Sequence, residues 1–169
     1  DARARGFLLG ATAGRTTLMG EGLQHQDGHS PLLASTVPAC RCYDPAFAYE
    51  MAIVVHDGIE RMYVQNEDVF YYLTLYNENY PMPPMPSGET PAEIAQGVVD
   101  GLYRWAEAPD GFETRATVLF SGTAWAAASD AQRILAEHYG VGIELWSATS
   151  YKALREDALA AERWNRLHP

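Results

Sequence analysis

Apolar residues fall along this chain in short blocks separated by glycine, proline and polar clusters, not in one long stripe. Gly6–Gly10 (GFLLG) and Ala39–Tyr43 (ACRCY) are brief apolar runs and predict two short strands. Asp44-Pro45 offers a helix N-cap followed by proline at the first helical position. The apolar pattern after it predicts a helix to about Met62. Val69–Tyr76 (VFYYLTLY) is rich in aromatic and branched residues and predicts a buried strand. Strand, helix and strand in that order imply a parallel sheet covered by helices.

Pro81, Pro83, Pro84 and Pro86 follow closely, and so dense a run forbids a continuing helix or a central strand. Residues 81–89 are therefore expected to be an extended linker between a first unit, 1–80, and a second, 90–169. In the second unit Thr90-Pro91-Ala92-Glu93 is a capping box that opens a helix expected to reach about Ala106. Ala116–Ser121 predicts a strand, and Ala124–Tyr139 an alanine-rich helix stopped by Gly140. Gly142–Ala148 predicts another strand, with Thr149 or Ser150 capping a last helix. The pattern is a βαβ unit, so the fold class is α/β, divided over two lobes.

Composition adjusts this picture in three places. With 169 residues, 47% of them hydrophobic, the chain can bury a real core. It starts at Asp1 without methionine and stops at Leu167-His168-Pro169, so both ends are expected to lie inside a longer polypeptide. A formal charge of −10 with scattered Lys and Arg argues against nucleic acid or an anionic membrane surface as partner. No segment reaches the roughly 18 apolar residues of a membrane span, and none has the form of a signal peptide. Cys40 and Cys42 are one residue apart, the wrong spacing for the usual zinc or redox motifs. They are expected to be reduced, buried strand residues of a cytoplasmic protein.

Candidate chemistry concentrates in Gly20-Glu21-Gly22-Leu23-Gln24-His25-Gln26-Asp27-Gly28-His29-Ser30. Two histidines and two carboxylates stand among glycines, with little that could form a core. Three readings stay open: a solvated turn, a metal site built from His25, Asp27 and His29, or imidazoles that hold a substrate carboxylate or move a proton near neutral pH. Asn77-Glu78-Asn79 follows a strand directly, where ligands gather in α/β sheets, but these are also ordinary turn residues. Gly10–Thr17 fails the phosphate-loop pattern, with three residues between its glycines and Arg15 in the lysine position. His56-Asp57-Gly58 reads as a helix-surface pair with a weak point at the glycine. Trp105, Trp125, Trp146 and Trp164 show no stacking pattern and are expected in the core or an interface.

Arg5–Gly10, Gly14–Leu18, Gly20–His25 and Asp27–Ser30 together resemble the homodimeric type of pyruvate dehydrogenase decarboxylating subunit. The resemblance extends through Tyr43–Glu50, Tyr76–Tyr80, Glu162–Asn165 and Leu167–Pro169, in the family's order. It implies a transketolase-like, thiamine-diphosphate-dependent enzyme. Residues 1–80 would be the C-terminal half of the domain that holds the cofactor's pyrimidine ring, and residues 90–169 the start of the C-terminal domain. His25 would lie beside the substrate as catalytic residue, with Glu21, Asp27 and His29 as substrate-binding neighbours. This displaces the metal reading for the loop. Thiamine diphosphate and Mg2+ would be held mainly by parts outside these 169 residues, so the chain alone is expected to be inactive. Pyruvate, the lipoyl domain of the dihydrolipoyl acetyltransferase core and a second copy in a homodimer are the implied partners. Competing possibilities are another 2-oxo acid, a ketose phosphate, or a non-catalytic docking module.

Overall fold

A computed structural model describes residues 3–10, 29–76 and 79–169. Its first half is a three-stranded parallel sheet in the order β1-β3-β2, from β1 (Phe7–Gly10), β2 (Cys40–Tyr43) and β3 (Phe70–Thr74). Phe7 pairs with Tyr71 and Gly10 with Thr74 on one side of β3, and Tyr43 pairs with Leu73 on the other. A short helix α1 (Ser30–Ser35), which the apolar pattern does not announce, precedes β2. Cys40 and Cys42 are free and buried on β2, as the strand reading requires.

Helix α2 spans Ala48–Ile59, so it starts three residues after the proline expected to open it. Asp44 is not its N-cap. The carboxylate of Glu50 caps it instead, accepting from the backbone N–H groups of Ala46 at 2.5 Å and Phe47 at 3.2 Å. The helix ends in a π-helical turn, Glu60–Val64, which buries Met62. Gly58 is a point of close packing, not of weakness: an added Cβ would stand 2.7 Å from Phe7 and 3.1 Å from Tyr71. Asp57 beside it accepts a hydrogen bond from Tyr71 Oη at 2.6 Å.

Helix α3 (Pro91–Asp100) opens with the expected capping box at Thr90 and Glu93. It stops at Gly101, whose φ of 102° only glycine adopts readily, and Leu102–Ala106 forms strand β4 where helix was expected. β5 (Thr114–Phe120), α4 (Trp125–Tyr139), β6 (Val141–Ala148) and α5 (Tyr151–Leu167) follow. The second sheet has the order β4-β6-β5, with β5 parallel and β4 antiparallel to β6. Gly140 closes α4 at φ 66°, and Ser150 Oγ caps α5.

The two sheets share their core. Tyr43, Val54 and Leu73 from the first half pack with Ile94, Val98 and Tyr103 from the second. Phe47 at the start of α2 enters a second cluster with Phe120, Ile143 and Leu145. Polar groups follow the same junction. Glu50, fully buried, also accepts from Tyr103 Oη at 2.6 Å and Ser147 Oγ at 2.7 Å. Lys152 on α5 donates to the carbonyls of Val37 and Cys40, at 2.6 and 2.5 Å.

Candidate functional site

Parallel strands place their carboxyl ends along one edge, where loops meet and ligands of open α/β sheets bind. In the first sheet that edge is formed by Gly10 and Thr74, the last residues of β1 and β3, and by Asp44 directly after β2. The chain leaves the described residues after Gly10 and returns at His29, directly before α1. Glu21, His25 and Asp27 lie outside the described residues, as do Asn77, Glu78 and the glycine-rich turn after Gly10. His29 is exposed, and its carbonyl accepts from the N–H of Leu33 at 2.9 Å. Of the four side chains singled out for substrate chemistry, His29 alone can therefore be placed.

Residues that the sequence did not single out organise this edge. Asp44 is nearly buried, and its Oδ1 accepts from Thr74 Oγ1 and Tyr76 Oη, both at 2.5 Å. Its backbone N–H donates to the carbonyl of Thr149, after β6, at 2.7 Å. Tyr80 Oη donates to the carbonyl of Ala46 at 2.5 Å, so the segment entering the proline run is held against the start of α2. Pro45, Phe47, Met51, Tyr76, Tyr80 and Met82 line a cleft of about 180 Å³ here. The pair Tyr43-Asp44 ahead of Pro45 was the available signal, but an aspartate before a proline reads first as a cap.

The tryptophans divide. Trp105 stacks on Phe47 with ring centroids 5.7 Å apart, and Trp125 meets the same ring edge-to-face at 5.6 Å, in a cluster that includes Phe120. Trp164 is exposed and stacks on His168 at 3.7 Å, outside the core. Burial drives the main electrostatic effects. It raises the Glu50 carboxyl above its ordinary value against the opposing pull of its four hydrogen bonds. Burial also pushes up the Tyr103 hydroxyl, with the Glu50 charge adding to it, and so keeps that group a donor. Among the described residues no three His, Cys, Asp or Glu side chains converge as a metal site.

The family model for the pyruvate dehydrogenase E1 component middle domain matches residues 1–83. This part of the chain is similar to that domain. Likeness to pyruvate dehydrogenase E1 components continues beyond it. The whole chain is 50% identical over 169 residues to the component of Pseudomonas aeruginosa and spans 19% of that protein. Identity is 50% over 170 residues to the component of Escherichia coli K12 and 49% to that of Mycobacterium tuberculosis, with 18% of each spanned. Among solved structures, the transketolase of Campylobacter jejuni superposes on 89% of the chain with a TM-score of 0.60 and 14% identity. The match covers 21% of that enzyme. A Pichia stipitis transketolase gives 0.58 over 78% of the chain, 17% of its own length, at 19% identity. The fold is transketolase-like α/β with mainly parallel sheets.

Proposed function

We propose that these residues are the part of a pyruvate dehydrogenase E1 component that carries one wall of the substrate site. The observation that supports this most is the 50% identity to pyruvate dehydrogenase E1 components over the whole chain. In this reading residues 1–80 complete the pyrimidine-binding domain, 81–89 link, and 90–169 begin the C-terminal domain. The whole enzyme takes pyruvate, releases carbon dioxide and passes the acetyl unit to the lipoyl group of the acetyltransferase core, as a cytoplasmic homodimer with thiamine diphosphate and Mg2+.

Thiamine diphosphate, when bound, supplies the electron sink for decarboxylation. The part left to this chain is orientation and proton handling. His25 contacts the substrate carboxylate or delivers a proton, and Glu21, Asp27 and His29 hold the imidazole and the substrate in register. A carboxylate must be bound firmly before the reaction and released during it, so a donor that exists in charged and neutral forms suits the task.

The test uses the full open reading frame, assayed for decarboxylation with pyruvate, 2-oxobutyrate and a ketose phosphate, and for acetyl transfer to an isolated lipoyl domain. Pyruvate is expected to give the highest kcat/KM, and pyruvate as the poorest of the three would overturn the reading. His25→Ala is expected to lower kcat by about 100-fold or more, the lower range for a lost general acid. The 169-residue chain by itself is expected to show no turnover.

A further inference from the structure

We propose that Asp44 is a positioning residue for the substrate edge, and that it fixes that edge against the second sheet through Tyr76. The inference rests on the functional reading above. Its geometry comes from three contacts that converge at one corner of the fold.

Asp44 and Thr74 stand at the carboxyl ends of adjacent strands, and Thr74 pairs on its other side with Gly10. The Asp44 carboxylate is thus one strand away from the point where the chain enters the segment holding Glu21, His25 and Asp27. The same oxygen, Oδ1, receives the Tyr76 hydroxyl. Tyr76 lies two residues past the end of β3, so this hydrogen bond ties the exit of that strand to Asp44.

The second sheet reaches the corner from outside. Gly122, just beyond β5, has φ of 52°, and a Cβ there would lie 2.1 Å from Tyr76 Oη and 2.6 Å from its Cζ. The tyrosine ring is seated directly on the backbone of the second half, with no room for a side chain between them. Thr149 closes the corner, taking the Asp44 N–H while its own hydroxyl donates to Val98 at 2.7 Å. Asp44 is therefore bound by side chain to the substrate edge and by main chain to the second sheet. A buried carboxylate with two hydroxyl donors has one favourable orientation, and placement errors of an ångström at a reacting centre cost about 100-fold in rate.

The test compares Tyr76→Phe, Asp44→Asn and Asp44→Ala in the full-length enzyme, reading kcat, KM for pyruvate and Tm. Tyr103→Phe is the control, because it removes a buried hydroxyl from the same junction, on the Glu50 side. Tyr76→Phe is expected to lower kcat about 10-fold and Asp44→Ala about 100-fold, with KM changed by less than about 3-fold. Asp44→Asn keeps an acceptor at Oδ1 and is expected to recover most of the loss. Tyr103→Phe is expected to lower Tm while leaving kcat within about 2-fold.

A kcat for Tyr76→Phe within 2-fold of the parent would overturn the proposal. So would a loss that follows Tm in the same proportion as Tyr103→Phe. If Asp44→Ala does not fold, Tyr76→Phe and Gly122→Ala decide, since Gly122→Ala displaces the same ring from the second sheet. An unmodified enzyme that fails on pyruvate overturns the functional reading alone, and the comparison is then run on the substrate it does turn over.

Discussion

Replacing Glu50 tests the account of how the two halves are joined. Its carboxylate receives four hydrogen bonds, two from the backbone of Ala46 and Phe47 and two from the hydroxyls of Tyr103 and Ser147. In Glu50→Ala, Tyr103 keeps its contact with Tyr49 Oη at 2.5 Å, and the other three donors lose this partner. At about 1 kcal/mol for each orphaned donor, plus about 1 kcal/mol for the cavity, the cost is about 4 kcal/mol. For a chain of this size that corresponds to a Tm lower by about 10 °C. Glu50→Gln keeps an acceptor for the two backbone groups, and its NH2 faces hydroxyls that can rotate, so its cost is about 1 kcal/mol.

The pH dependence separates the two variants further. Burial raises the Glu50 carboxyl in the folded protein above its ordinary value of 4.5, so the folded state holds that proton more tightly. Its contribution to stability is fully present below about pH 4.5 and is lost as pH rises through the folded value. Glu50→Gln cannot titrate, so this slope is expected to vanish in it. The assay is thermal unfolding followed by near-ultraviolet circular dichroism at a series of pH values. A Glu50→Ala variant within about 1 kcal/mol of the parent would refute the reasoning, as would a Glu50→Gln variant equally damaged.

Gly101→Ala is expected to cost about 3 kcal/mol, because φ is 102° and the new Cβ would meet the Ser150 carbonyl at 2.6 Å. Gly111→Ala has a similar φ of 90° and open space around it, so about 1 kcal/mol is expected, and urea unfolding of both separates strain from clash. Lys152→Met leaves the Val37 and Cys40 carbonyls without their ammonium donor and is expected to lower stability by about 2 kcal/mol, read from the urea midpoint. Burial pushes the Cys40 thiol up, and Cys42 is buried beside it, so a thiol reagent is expected to label neither in the folded protein at neutral pH and both after unfolding.

Much of the fold was legible in local pattern. Among the described residues, five of the six strands and four of the five helices stand where apolar runs, caps and the proline cluster put them, though α3 ends six residues short of its expected end. The exceptions have identifiable causes. Leu102–Ala106 continues an apolar pattern compatible with helix, and only the left-handed turn at Gly101, needed to approach Ser150, makes it a strand. Helix α1 is too short to carry a periodicity. Asp44 has the sequence context of a cap, yet a residue 30 positions away claims its carboxylate. Gly58 looks like a helix defect because the Phe7 ring that needs the space belongs to a different strand. The sequence offers candidate chemistry in the His25 segment and His29, of which His29 alone lies among the described residues. The scaffold beside it was not legible, since Asp44, Tyr76 and Gly122 meet only through tertiary packing.

Both sheets set their last-made strand in the middle, β3 between β1 and β2, and β6 between β4 and β5. During synthesis the first two strands of either sheet have no hydrogen-bonding partner in each other and must wait for the third. The second sheet cannot close until residue 148 has left the ribosome, and the Glu50 and Asp44 contacts to Ser147 and Thr149 wait with it. Vectorial folding of this region is thus gated by one late segment, Val141–Ala148. A nascent chain paused before it would expose unpaired strand edges and be a target for chaperones.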